Sequence, residues 1–147
     1  MPNPALRFSC HREQALRQET WRSEQTEGGR GMKTAIMTGI LGLAGVAHFS
    51  RPDLFDSIVP PRLGNPRFWT YASGIAELGC AGLLANTATR RLGGAASAAL
   101  MVGVFPANIY TVVQHWDNPK GRAIACARLP LQIPLVWAAA AIAADTD

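Results

Sequence analysis

A single acid, Glu77, interrupts residues 69–86, WTYASGIAELGCAGLLAN, a run of otherwise apolar or small residues nearly long enough to cross a bilayer as a helix. An ionised carboxylate is costly there unless it faces the protein interior, meets an opposite charge or takes up a proton. Such a residue therefore marks a candidate site. Ser73, Gly74, Cys80 and Ala81, about one turn to either side, are small enough to let neighbouring helices approach, which directs the acid into a bundle and away from lipid. Four more polar groups, His48, Asn108, Arg128 and Gln132, sit in or beside the other apolar runs. An acid, a guanidinium, an imidazole and two amides can hold a polar head group or exchange a proton. They can equally satisfy one another, Glu77 with Arg128, Asn108 with a carbonyl freed by Pro106, and His48 and Gln132 with backbone. The residues alone leave binding and structural roles open.

The elements that must position these groups are four apolar runs, about 34–49, 69–86, 92–113 and 129–144. They predict an all-α fold, a transmembrane four-helix bundle. Residues 92–113 contain no charged side chain and give the clearest spanning signal. A soluble bundle would need a polar face on that helix. Within it Pro106 removes the amide that would bond the Val102 carbonyl, so a bend is expected near its far end. In the last run Pro130 suits the first turn of a helix, Pro134 lies in that turn or marks a kink, and Arg128 and Gln132 share a face at i, i+4.

Between the first two runs, SRPDLFDSIVPPRLGNPRF places Leu54, Phe55, Ile58 and Val59 at helical spacing before Pro60 and Pro61 stop the run. This predicts a short amphipathic helix on the membrane face, serving as an interfacial connector or a substrate lid. If each run crosses once, His48 ends the first helix, Glu77 lies about 12 Å into the second, Asn108 is about 8 Å from the end of the third, and Arg128 and Gln132 open the fourth. All five then lie toward one face, forming a polar pocket open at that end. Glu77 and Arg128 are expected to pair across it.

Composition divides the 147-residue chain near Met32. Residues 1–31 are rich in Arg, Glu and Gln without apolar periodicity and read as a disordered extension; 32–147 form the membrane domain. Met32-Lys33 followed at once by an apolar run is how a membrane protein commonly begins, which makes the extension an over-long gene start or a regulatory tail. A signal peptide cleaved before His48 is the rival, opposed by a single Lys ahead of the run and by three further apolar runs. The net charge of +4 is spread over loops and helix ends, giving no nucleic-acid footprint and leaving topology charges. Cys10, Cys80 and Cys126 form no CxxC, so no metal site or dithiol redox pair is indicated. No haem, flavin or iron-sulfur motif is present, so no cofactor is expected.

Four blocks, GVAHFSRPDLFDSIVPP, YASGIAELGCAGLLANTATRR, VFPANIYTVVQH and RLPLQIPLVWA, resemble the DoxX-like family of small bacterial four-helix inner-membrane proteins, in the family's order. The resemblance covers Met32 to about Ala141. It implies a multi-pass protein of the inner (cytoplasmic) membrane and matches recurrent positions at His48, Phe49, Pro60, Pro61, Glu77, Arg90, Pro106, Asn108, Arg128, Pro130 and Gln132. The family is named after a subunit associated with an archaeal thiosulfate:quinone oxidoreductase, and relatives occur in methylamine-utilisation and oxidative-stress settings. It carries no catalytic role onto any of these residues.

Three functions follow as expectations. The polar pocket could bind a lipid-soluble ligand such as a quinone, with a membrane or redox partner subunit supplying any electron transfer. The chain could be a structural or accessory subunit without ligand, or an oligomeric proton-coupled carrier using Glu77. None requires enzymatic activity of the chain alone. Four crossings predict that the protein resists alkaline carbonate washing and that reporters fused after Asn86 and Asp147 fall on the same side of the membrane; opposite sides would overturn that topology.

Overall fold

The computed structural model describes residues 4–145, with side chains from 16 onward except 23, 24, 26 and 27. Every regular element among them is helical: α1 (Pro4–Ser50), α2 (Pro52–Asp56), α3 (Pro66–Ala85), α4 (Arg90–Gln114) and α5 (Pro119–Ala144), with single 3-10 turns at Pro61–Leu63 and Thr87–Thr89. The boundaries follow from proline and asparagine chemistry. Pro52, Pro66 and Pro119 occupy first-turn positions where a missing amide costs nothing. Asn65 and Asn118 cap α3 and α5 by accepting from the amides of Arg67 at 3.0 Å and Gly121 at 3.2 Å. Pro60 and Pro61 end the α2 segment, and Gly64, at φ 80°, turns the chain into α3.

Two expectations need correction. Residues 4–31 are helical where the sequence predicts a disordered extension. The lack of apolar periodicity reports on packing, whereas Ala, Leu, Arg, Gln and Glu favour helix intrinsically. Residues 1–3 of that extension lie outside the described residues. The chain divides into two compact units, Met1–Lys33 and Thr34–Asp147. The second correction is at α5, which starts at Pro119 and not near 129, because the Asn118 cap and the Ala-rich stretch after it carry the helix through the segment read as a polar connection. Pro130 and Pro134 consequently lie inside α5 and not in its first turn.

Among the described residues three helical segments, Gly28–Ser50, Thr87–Gln114 and Pro119–Ala144, are long and apolar enough to cross a membrane. Helix α3 is not among them, since its acid, its glycines and its hydroxyl side chains lower its hydropathy. Within the second unit, residues 34–50 of α1 contribute Met37 and Leu41 to one core with Cys80, Ala81 and Leu84 of α3, Met101 of α4, and Ala139 and Ile142 of α5. Outward faces carry Leu43, Ile75, Val102, Ile133 and Trp137, each more than half exposed, an apolar exterior suited to lipid and unlike that of a water-soluble monomer.

Glycine sets the helix spacing. A Cβ on Gly93 would lie 2.7 Å from the Leu84 amide nitrogen, and one on Gly94 would lie 2.7 Å from the Ala143 nitrogen and 2.8 Å from the Ala139 carbonyl oxygen. Backbone thus meets backbone at α3/α4 and at α4/α5, the small-residue packing that replaces hydrophobic drive in lipid. Fully buried Ser97 returns its hydroxyl to the Gly93 carbonyl at 2.6 Å and presents no polar group to its neighbours. Gly94→Ala is expected to destabilise the protein by about 1–3 kcal/mol through overpacking. Gly103→Ala, with nothing within 4 Å of its Cβ, should be neutral or stabilise by up to ~1 kcal/mol. Thermal unfolding in detergent checks the contrast, and equal midpoints for the two variants would refute it.

Candidate functional site

Helices α1 and α3 cross at a pair of glycines. A Cβ on Gly45 would sit 2.7 Å from Leu78 Cγ, and one on Gly74 would sit 2.8 Å from His48 Cβ and 2.9 Å from Phe49 Cε2. The pairing of Gly45 with Leu78 and of His48 with Gly74 makes the two helices antiparallel at this point. The close approach lays His48, on the turn after Gly45, against Glu77, on the turn after Gly74.

His48 Nδ1 lies 2.8 Å from the Ala44 carbonyl oxygen and 3.1 Å from Glu77 Oε2. With the proton on Nδ1, the hydrogen bond goes to Ala44. The Glu77 oxygen is within ion-pair distance but off the donor axis, and it is buried without a hydrogen bond. Side-chain exposures of 10% and 16% leave both groups largely withdrawn from solvent. Phe55 stacks on the imidazole, with ring centroids 3.7 Å apart and planes inclined by 25°. Phe49 stacks on Tyr71 beside them at 5.3 Å.

Phe55 is delivered by a polar clamp that hydropathy and spacing do not reveal. Arg67, in the first turn of α3, bonds Asp56 Oδ2 through Nε and Asp53 Oδ1 through Nη2, both at 2.7 Å. Buried Thr70 donates to the other Asp56 oxygen at 2.6 Å. Asp53 and Asp56 sit at i, i+3 on α2, so one guanidinium grips that face. The signal in the sequence is the acid pair ahead of Pro60 and the Arg two residues after Asn65, but nothing in their spacing says that they meet.

The second polar cluster joins α4 to α5. Asn108 Nδ2 donates to Gln132 Oε1 at 2.7 Å, and Gln132 Nε2 donates to the Met101 carbonyl. One alternative open from the sequence is that Asn108 serves the carbonyl freed by Pro106. The structure uses Gln132 for a neighbouring carbonyl instead, because Pro106, inside α4, loosens the helix ladder there and Gln132 is the buried amide within reach.

Arg128 is exposed and makes no ion pair with Glu77. With α5 beginning at Pro119, Arg128 lies well inside the helix on an outward position, while Gln132 one turn later points inward. The structure therefore brings His48 to Glu77 and Asn108 to Gln132, while exposed Arg128 joins neither pair. An apolar groove of about 430 Å3 on α4 and α5, lined by Val102, Phe105, Ile133, Val136, Trp137 and Ala140, reaches only Gln132 among them. Pro60 and Pro61 shape the turn between α2 and α3.

Among the described residues no three His, Cys, Asp or Glu side chains gather as a metal ion would need. Cys80 is buried and Cys126 exposed, both free, and the side chain of Cys10 lies outside the described ones. The arrangement can hold a proton between imidazole and carboxylate, and it can accept a hydrogen bond at Glu77 Oε2.

A family model described as a domain of unknown function, DUF8561, matches residues 37–143, a span that contains both clusters. No curated protein and no solved structure matches the chain.

The amide lock makes a prediction of its own. Gln132→Leu leaves the Asn108 amide and the Met101 carbonyl without their partner and should cost about 1–3 kcal/mol. Asn108→Leu added to it should cost less than the sum of the single changes, since the second removes a group already orphaned. Strict additivity in detergent unfolding would show that the two amides do not act together.

Proposed function

The chain belongs to the DUF8561 family, domains of unknown function, and on that premise we propose that it is a multi-pass protein of the inner (cytoplasmic) membrane whose His48–Glu77 pair binds the polar head of a lipid-soluble small molecule. In this reading α3 is the fourth crossing of a transmembrane four-helix bundle, related to the DoxX-like family that its motifs resemble. Its acid does not oppose insertion, because Glu77 is turned onto His48 within the protein and α3 shares one core with α1, α4 and α5.

The supporting observation is the Glu77 carboxylate. A buried oxygen 3.1 Å from an imidazole, accepting no hydrogen bond, is costly to maintain for structure alone and is suited to a donor brought by a ligand. A quinone-type molecule in its hydroxyl-bearing form combines such a donor with a tail that the apolar exterior accommodates. A membrane or redox partner subunit would supply the electrons. A second reading, an accessory subunit without ligand, draws on the Asn108–Gln132 lock, whose described polar contacts are internal and serve helix register.

The test is organic extraction of the purified protein followed by mass spectrometry, comparing wild type with Glu77→Gln. The variant keeps the shape and removes the charge. A lipid-soluble species carried by the wild type should fall about tenfold or more in the variant, as expected for loss of a charge-assisted hydrogen bond. Identical extracts from both proteins would favour the accessory subunit.

A further inference from the structure

The Asp53–Arg67–Asp56 clamp lies outside the apolar core, yet it bears directly on the candidate centre. Helix α2 has five residues and no buried residue of its own, too short to hold its position without tertiary contacts. Its attachment to α3 runs through Asp56, gripped by both Arg67 and Thr70, and through Asp53 on the same guanidinium. Asp56 and Phe55 are consecutive, so the carboxylate that is gripped fixes the ring that stacks on His48. Arg67 and Asp53 face solvent, with side-chain exposures of 42% and 88%, whereas Thr70 beneath them is buried. The clamp is thus anchored on the inside and open to water on the outside.

We propose that Arg67 is a positioning residue which, through Asp56 and Asp53, latches α2 so that Phe55 covers His48, and that release of this latch opens the His48–Glu77 pair from the membrane surface. The inference rests on the reading of that pair as the functional centre and adds its means of access. The bonds of Arg67 to the two carboxylates are charge-assisted and partly exposed, so they weaken as salt screens them while the stacking and the Gly45–Gly74 crossing do not. A lipid-soluble molecule entering at headgroup depth would meet Phe55 first.

Reaction of histidine with diethyl pyrocarbonate, followed peptide by peptide, tests this without any ligand. His48 Nδ1 is taken up by the Ala44 carbonyl, leaving Nε2 to react. His115 provides the internal reference, because its Nδ1 makes the same bond to the carbonyl four residues earlier, to Thr111 at 3.0 Å. Phe55→Ala and Arg67→Gln should each raise the His48 rate about tenfold with the His115 rate unchanged. Arg67→Lys, which keeps the charge but not the two-carboxylate fork, should fall between wild type and Arg67→Gln. Salt at about 1 M should accelerate His48 in the wild type but not in Arg67→Gln.

An Arg67→Gln rate equal to wild type, with Phe55→Ala accelerated, overturns the latch. An unchanged Phe55→Ala rate overturns the cover. Parallel acceleration of His48 and His115 overturns both, because it reports general loosening. These rates are read in ligand-free protein, so they stand or fall separately from the extraction of a bound molecule.

Discussion

The carboxylate of Glu77, largely withdrawn from solvent, imposes the condition that the surrounding helices must meet. A charge in an apolar helix has to be turned toward a partner within the protein. Here that is possible because Gly45 and Gly74 let α1 and α3 approach until a single Cβ would collide with the neighbouring helix. Larger residues at either position would separate His48 from Glu77 and leave the acid alone. The same device recurs at Gly93 and Gly94, so the core that holds α3 in place is set by backbone contact as much as by side-chain volume.

The polar groups of the second unit are divided between two tasks. Asn108 and Gln132 interlock across α4 and α5 and absorb the irregularity that Pro106 introduces. His48 and Glu77 are held less completely: the imidazole donates to its own helix at Ala44, and one carboxylate oxygen remains without a bond. Fully satisfied networks rigidify, whereas a buried polar atom left unsatisfied costs free energy. Helix α2 adds an aromatic cover to the incomplete site while keeping its own ionic contacts outside the core.

The helical class, the positions of α3 and α4 to within a few residues, and the turning of Glu77 toward the protein interior were legible from hydropathy and from the cost of an acid in an apolar run. So were small residues at the crossings, since Gly74 lies within a turn of Glu77 and Gly93 opens the Gly- and Ala-rich first half of α4. Helix propensity, which periodicity does not report, accounts for the helical residues 4–31 and for the early start of α5.

Partner choice was beyond the reach of the sequence. Glu77 had Arg128 and His48 as candidates at similar depth, and the outcome depended on helix rotation: α5 presents Gln132 inward and Arg128 outward, while α1 presents His48 directly to α3. A rotation of a helix by one residue changes which side chain faces a neighbour by about 100°, and no spacing rule within one helix fixes that angle relative to another. The joining of Asp53 and Asp56 to Arg67 and Thr70 is of the same kind, because residues on two elements meet only once a turn at Pro61–Leu63 has folded one back on the other. Local chemistry therefore determined which residues needed partners, and the packing of the helices chose them.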